Sequence, residues 1–200
     1  MKKVVLSVSV MLVSLMNYGQ GNVSTVSQFG ATEIATVEQI GKLNNSDVNQ
    51  IGVFNFADVY QEGKRNSAIV WQAGGLNTST VSQIGNDNSS TTVQFFNGSH
   101  SHVTQTGNHN VSMVAQSGVI FMPSDNESDR NGFGSGNEAY LDQNGSYNVG
   151  VINQSGFDNE SHITQDGSFN NAWTSQSGNC QLSTINQAGI GNMSIVMQSN

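Results

Sequence analysis

The sequence predicts an all-β protein: a β-solenoid of about seven coils, in which two parallel sheets face each other. Three observations lead to this fold class. Glutamine recurs every eleven residues, the residues specified around it occupy alternate positions, and a glycine follows it at a fixed distance. Alternation is the periodicity of a β-strand, and self-similarity at a fixed period is typical of repeat architectures.

The repeated glutamine occurs in fifteen copies, which form two series separated by a gap of twenty-seven residues. The copies are Gln28, Gln39, Gln50, Gln61, Gln72, Gln83, Gln94, Gln105 and Gln116, then Gln143, Gln154, Gln165, Gln176, Gln187 and Gln198. An unstructured polar chain has no reason to keep such a register, so the period predicts order in spite of the Asn-, Gln-, Ser- and Gly-rich composition.

Other positions of the unit are nearly as regular. Serine or alanine usually stands four residues before the glutamine, and valine, isoleucine or leucine stands two before it. Asparagine stands six residues before the glutamine at Asn22, Asn44, Asn55, Asn66, Asn77, Asn88, Asn110, Asn137, Asn148, Asn159, Asn170 and Asn192. Glycine stands two residues after it at Gly30, Gly41, Gly52, Gly63, Gly74, Gly85, Gly107, Gly118, Gly145, Gly156, Gly167, Gly178 and Gly189.

The unit is a strand followed by a turn. Eleven residues also approximate three turns of helix, but a glycine in every unit would cost a helix about 1 kcal/mol each time, and the specified residues alternate. Glycine and asparagine both tolerate positive φ, which predicts a tight turn between Gly and the next Asn. Two units then form one coil of 22 residues, and equivalent positions stack about 4.8 Å apart.

The specified face of each strand is predicted to point inward. Ser and Ala let the sheets approach, and the aliphatic column supplies a dry strip. A buried amide without a partner costs a few kcal/mol, so we expect each Gln and Asn amide to bond to the amides one coil above and below. The free face is predicted to point outward; it carries acids and aromatics at Asp47, Asp58, Glu62, Asp142, Glu160, Asp166, Phe56, Tyr60, Trp71, Tyr140 and Trp173.

Two segments depart from the repeat. Residues 1–20 contain two lysines and an apolar run, followed by small and polar residues, which predicts a signal peptide and therefore export. The apolar run is too short to span a bilayer comfortably, and we expect no transmembrane segment. The gap between the two glutamine series, at about 119–136, contains the only proline and predicts a loop inserted into a single solenoid that occupies residues 21–200. The hand of the solenoid stays open.

The net charge and the reactive side chains limit the functions that the sequence predicts. Without residues 1–20, the chain has four basic and fourteen acidic residues, a net charge of −10, which disfavours a nucleic-acid partner. Cys180 is the single cysteine and forms no intramolecular disulfide. His100 and His102 lie two residues apart without a third ligand in view, so we expect no metal site and no cofactor. The outward acids do not cluster, and we expect no catalytic residues.

The unit resembles the curlin repeat of curli fibre subunits, whose pattern is Ser-x5-Gln-x-Gly-x-x-Asn-x-Ala-x3-Gln. The stretch 50–61 matches its core with Gln50, Gly52, Asn55, Ala57 and Gln61. The resemblance extends over nearly all of residues 22–200. It implies a secreted, cell-surface amyloid fibre subunit without enzymatic activity, which is exported through a dedicated outer-membrane pore with the help of chaperones.

The sequence therefore predicts a structural fibre subunit that polymerises head-to-tail with itself and contributes to a biofilm matrix and to adhesion. The first unit begins at Asn22 and the last contains Gln198, and both follow the consensus, so we expect uncapped ends. Two alternatives stay open. The protein could be a minor subunit that nucleates or anchors the same fibre beside a major subunit, or it could be a monomeric β-solenoid adhesin.

Overall fold

The computed structural model describes residues 21–118 and 136–200. The regular secondary structure of these residues consists entirely of β-strands. The strands are β1 (Val23–Ala31), β2 (Ile34–Lys42), β3 (Asn45–Val53), β4 (Phe56–Lys64), β5 (Ser67–Gly75), β6 (Thr78–Asn86), β7 (Ser89–Asn97), β8 (His100–Asn108), β9 (Val111–Ser117), β10 (Glu138–Ser146), β11 (Val149–Phe157), β12 (Glu160–Ser168), β13 (Asn171–Asn179), β14 (Leu182–Ile190) and β15 (Met193–Ser199). The predicted signal peptide and, apart from residue 136, the predicted inserted loop lie outside the described residues.

Two parallel sheets are formed by alternate strands. Sheet A contains the eight odd-numbered strands and sheet B the seven even-numbered strands, each in chain order. Every strand pairs with the strand two units further on, so that Gln28 lies opposite Gln50 and Gln39 opposite Gln61. The offset is 22 residues, one coil. The predicted β-solenoid of about seven coils, with two facing parallel sheets, is confirmed.

The register continues past the gap between the two glutamine series. Strand β8 pairs with β10 and β9 pairs with β11, which places Gln105 opposite Gln143 and Gln116 opposite Gln154. The strands on either side of residues 119–135 therefore belong to the same two sheets. Among the described residues there is no helix long and apolar enough to cross a membrane.

The core is a narrow strip between the sheets, because the inward residues alternate with outward ones along every strand. In β6, for example, Ser79, Val81 and Gln83 are buried, whereas Thr80 and Ser82 face outward. Branched aliphatic side chains fit this pleated, close-packed surface well. The aliphatic members of the core are Val37, Val48, Val59, Val70, Val81, Val103, Val114, Leu141, Ile152, Ile163 and Ile185.

Outside the gap between the two glutamine series, every strand junction has two residues with positive φ, one near the end of a strand and one directly after it. One is the glycine after the glutamine, as predicted, with φ of +119° at Gly63. The other is the residue just before the asparagine, for example Leu43 with φ of 60° and Phe54 with φ of 58°. The prediction that asparagine itself adopts positive φ is therefore wrong. The residue before it takes the left-handed conformation, and asparagine stands directly before the next strand, as Asn44 does before β3.

Glycine is required after the glutamine for a second reason, the close approach of successive coils. A Cβ atom at Gly63 would overlap the carbonyl oxygen of Gly85 in the next coil. Phe96 occupies the equivalent position in one turn, with φ of 77°, and that turn also contains Gly98. A Cβ atom at Gly98 would have no neighbour within 4 Å.

These two glycines give a matched test. We expect Gly63→Ala to destabilise the protein by about 3 kcal/mol or more, since it adds an overlap between coils to the strain of an L-residue at that φ. Gly98→Ala adds only the left-handed strain, about 1–2 kcal/mol. Urea unfolding of both variants in their soluble form measures the difference, and equal losses would contradict the close-approach argument.

Candidate assembly surface

Glutamine side chains form a continuous hydrogen-bonded column inside each sheet. The Nε2 atom of each glutamine donates to the Oε1 atom of the glutamine one coil further along the chain; the distances for Gln50 to Gln72 and for Gln72 to Gln94 are both 2.8 Å. Thirteen such bonds of 2.7–2.9 Å join the fifteen glutamines. The columns are polar, because every amide donates in the same direction.

The second N–H of each amide has a partner that the repeat did not predict. Nε2 of Gln50 also donates to the backbone oxygen of Ile34, at 3.0 Å, and Nε2 of Gln72 to that of Phe56, at 2.9 Å. Ile34 and Phe56 begin the preceding strands, in the opposite sheet. Each glutamine from Gln39 onward therefore ties neighbouring coils and both sheets together. A glutamate could not do this, because an ionised carboxylate has no hydrogen to donate.

Asparagine forms a different kind of column. The backbone N–H of Asn66 donates to Oδ1 of Asn44, at 3.0 Å, and Nδ2 of Asn66 donates to the carbonyl oxygen of Gly85, at 2.9 Å. The predicted amide-to-amide ladder of asparagines is therefore wrong for most of the column. The short side chain lies at a turn, where its Oδ1 atom accepts a backbone N–H and its Nδ2 atom donates to a backbone carbonyl oxygen of the next coil.

Burial of the predicted residues varies along the axis. The glutamines between Gln50 and Gln187 are buried, whereas Gln28, Gln39 and Gln198 are half-buried in the terminal coils. All predicted asparagines are buried except Asn22 and Asn192, which are half-buried. The predicted turn glycines, apart from Gly118, lie at the second-last position of their strands rather than in the turns, and all of these have positive φ. The Gln and Asn side chains are thus shielded from solvent in the middle of the solenoid and partly exposed at both of its ends.

Glu33 replaces asparagine in the first complete turn and is only 8% exposed. Its Oε2 atom accepts the backbone N–H of Asn55, at 3.1 Å, as an asparagine would. Burial is the main influence on this carboxyl and raises its pKa, although the hydrogen bonds from Asn55 act in the opposite direction. The repeat did not single out this residue, but its departure from the consensus at a buried position was a usable signal.

The outer faces of the two sheets differ in charge. Sheet B carries seven outward acids among the described residues, whereas Asp47 is the one charged residue that faces outward from the strands of sheet A. The sheet B acids are Glu38, Asp58, Glu62, Glu138, Asp142, Glu160 and Asp166. Sheet A exposes large apolar groups with almost no charge beside them, including Ile69, Trp71 and Trp173, which are each 40–49% exposed, whereas the exposed apolar groups of sheet B, such as Ile40 and Ile84, share their face with the acids. Sequence periodicity could not show this difference, because it did not state which units share a sheet.

The predicted histidines lie on the outer face of sheet B. His100 and His102 are exposed on β8, and Nε2 of His102 is 3.3 Å from the Thr104 hydroxyl. No group of three or more His, Cys, Asp or Glu side chains close enough to hold a metal ion occurs in residues 21–118 and 136–200. Cys180 is exposed in the turn before β14.

The two ends of the solenoid are strand edges. Strands β1 and β15 are the outermost strands of sheet A, and β2 and β14 those of sheet B. Apolar side chains are unusually open there: Phe29 is 77% exposed, Ile190 79% and Met197 78%. An open strand edge with unpaired backbone groups is a template for another strand.

Two segments of the chain, residues 55–85 and 134–167, match the model of the curlin associated repeat family. The two matched segments together cover 65 of the 200 residues. The first match covers β4 to β6 and the second β10 to β12, one on each side of the gap between the glutamine series. The chain has no significant match among curated proteins.

Replacing Gln72 tests the glutamine column. We expect Gln72→Leu to lower the free energy of unfolding by about 1–3 kcal/mol, because it leaves Gln50, Gln94 and the Phe56 carbonyl each without one partner in a buried site. Thr80→Leu, on the outward face of β6, is the control and should change stability by less than about 0.5 kcal/mol. Equal losses in urea unfolding would contradict the inward role of glutamine.

Replacing Glu33 tests its raised pKa. A carboxyl whose pKa is raised by folding favours the folded state at low pH, and this contribution is lost as the pH rises through the folded pKa. We expect Glu33→Gln to be more stable than the native protein at pH 7, and the advantage to shrink as the pH falls toward the ordinary value of 4.5. Urea midpoints measured from pH 7 to pH 3.5 test this, and a pH-independent difference would refute it.

Proposed function

We propose that this protein is a structural subunit of an extracellular, curli-like amyloid fibre, and that it polymerises head-to-tail through the ends of the solenoid. The observation that carries the proposal is the pair of open strand edges at the two ends of a continuous cross-β column. Such an end-to-end contact does not close on itself, so it generates an open filament. A fibre of this kind would contribute to a biofilm matrix and to adhesion.

The polarity of the glutamine columns supports head-to-tail contact. In the last coil, Gln187 and Gln198 have no further glutamine to which they can donate, and in the first coil Gln28 and Gln39 have none from which to accept. One end therefore offers amide donors and the other offers amide acceptors. Two identical ends brought together would place donors against donors, which disfavours closed dimers.

The charge of the chain is expected to slow fibre growth and to oppose lateral association of fibres. The acids on the outer face of sheet B repel parallel neighbours laterally, which resembles the gatekeeper function of charges beside aggregation-prone strands. The net charge also opposes the approach of each new subunit. The proposed fibre is secreted, with a curli-type pore, chaperones and a nucleating or major subunit as its partners.

Fibre formation is tested on the purified chain without residues 1–20. We expect it to form unbranched filaments within days, to increase thioflavin T fluorescence, and to lose its lag phase when sonicated seeds are added. Growth should accelerate several-fold between about 20 and 150 mM salt, because screening weakens the repulsion between subunits. Electron microscopy and a fluorescence time course measure both effects.

The same experiment separates the alternatives. A protein that fails to grow alone but shortens the lag of a second subunit at low molar ratio is a nucleator. A protein that stays monomeric at tens of micromolar, with seeds and salt present, is no fibre subunit, and the adhesin interpretation then replaces the proposal.

A further inference from the structure

At both ends of the solenoid, the outermost strand belongs to sheet A and has no neighbouring strand beside it in sheet B. Sheet A has eight strands and sheet B seven, so that β1 extends beyond β2 at one end and β15 extends beyond β14 at the other. Burial reflects this overhang. Val26 and Val196, on the projecting strands, are only partly buried, whereas Val37 and Ile185, on the recessed strands, are 8% and 4% exposed.

Two ways of joining such ends can be compared. If sheet A continues directly into sheet A, β1 of the next subunit pairs with β15. Sheet B then lacks one strand between β14 and the next subunit's β2, and both of those edges stay unpaired. If the next subunit is rotated by half a turn about the fibre axis, its projecting β1 fits onto the recessed β14, and its β2 fits onto β15. Both sheets then continue without a missing strand.

Resting on the proposed fibre function, we propose that successive subunits in the fibre are related by about half a turn, so that sheet A of one subunit continues as sheet B of the next. The odd number of described strands, fifteen, produces this relation. A chain with an even number of equal units would stack without the rotation.

The glutamine columns favour the half-turn. In that arrangement Gln187 lies below Gln28 of the next subunit, and Gln198 lies below Gln39, so that both donors meet acceptors. Direct stacking pairs Gln198 with Gln28 of the next subunit. It leaves Gln187 and Gln39 of the next subunit without a glutamine partner, because one strand position of sheet B between them is vacant. An unmade hydrogen bond in a buried site is costly, so the direct arrangement is the weaker one.

The outward side chains at the junction are compatible with the half-turn. Leu182 would lie beside Val23 of the next subunit, and Met193 beside Ile34, and all four are more than half exposed in the single chain. No two charged residues of like sign are brought opposite each other across the joined strands. The junction therefore covers apolar groups that the isolated solenoid leaves open.

The half-turn also changes the surface of the fibre. The nearly uncharged face of sheet A and the acidic face of sheet B would alternate along each side, subunit by subunit. Direct stacking would instead continue the nearly uncharged face of sheet A, with its exposed Ile69, Trp71 and Trp173, along the whole fibre. Alternation breaks up that face and limits sheet-on-sheet association between fibres.

Cross-linking across the junction tests the arrangement, in fibres whose formation has first been verified by microscopy. Thr25, Thr184 and Ile195 are all exposed and face outward. In a Cys180→Ser background, the pair Thr25→Cys and Thr184→Cys places thiols on directly opposed residues only in the half-turn arrangement. The matched pair, Thr25→Cys and Ile195→Cys, does so only in direct stacking. A thiol cross-linker about 5 Å long bridges opposed positions of adjacent strands.

We expect the first pair to yield covalent multimers on a denaturing gel at least about tenfold more efficiently than the second, because only opposed thiols have a high effective concentration. The reverse result, or equal yields, overturns the half-turn while leaving the fibre intact. Absence of fibres from the unmodified chain overturns the proposed function and this inference together.

Labelling Cys180 provides a second measurement that needs no substitution. This exposed thiol lies at one edge of the solenoid. Gold clusters should alternate between the two edges of the fibre, with consecutive clusters about 36 Å apart along the axis, the length of seven and a half coils. Clusters confined to one edge, about 38 Å apart, would show direct stacking and refute the half-turn.

Discussion

The two hydrogens of the glutamine amide set the geometry on which the rest of this solenoid depends. One binds the glutamine of the next coil and the other binds a backbone carbonyl of the opposite sheet, as Gln72 does with Gln94 and Phe56. Both bonds form only when equivalent residues lie one coil apart. The eleven-residue period, the parallel register and the polarity of the columns all follow from this requirement.

The residues allowed at the turns depend on the spacing that this register sets between coils. Coils stacked at the cross-β spacing leave no room for a side chain at the glycine that stands two residues after each glutamine. A Cβ atom at Gly63, for example, would overlap the carbonyl oxygen of Gly85. Asparagine then reconnects the backbone on either side of the turn, because Asn66 binds groups of the coil before it and the coil after it. A residue with little intrinsic preference for the left-handed conformation, such as Leu43 or Phe54, is held in it by these neighbours.

A single chain leaves the same chemistry unfinished at its ends. Gln198 lacks a glutamine acceptor and Gln28 a glutamine donor, and the strands that carry them project beyond their neighbours. Polymerisation would complete the columns with bonds of the kind already present inside the subunit, so fibre and fold would rest on one interaction. The acidic face of sheet B would then oppose lateral association, and Glu33 would make the stability of the first coil respond to pH.

The sequence alone determined the strand period, the 22-residue coil, the inward face and the glutamine columns, because residues such as Gln50 and Gly52 recur at positions that only one stacking register satisfies. It did not determine the backbone partner of glutamine, the role of Asn66 at the turn or the left-handed conformation of Leu43. These depend on atoms from neighbouring coils and from the opposite sheet. The tertiary structure also decided the separation of charge between the faces and the unequal strand count, since both require knowing which units share a sheet.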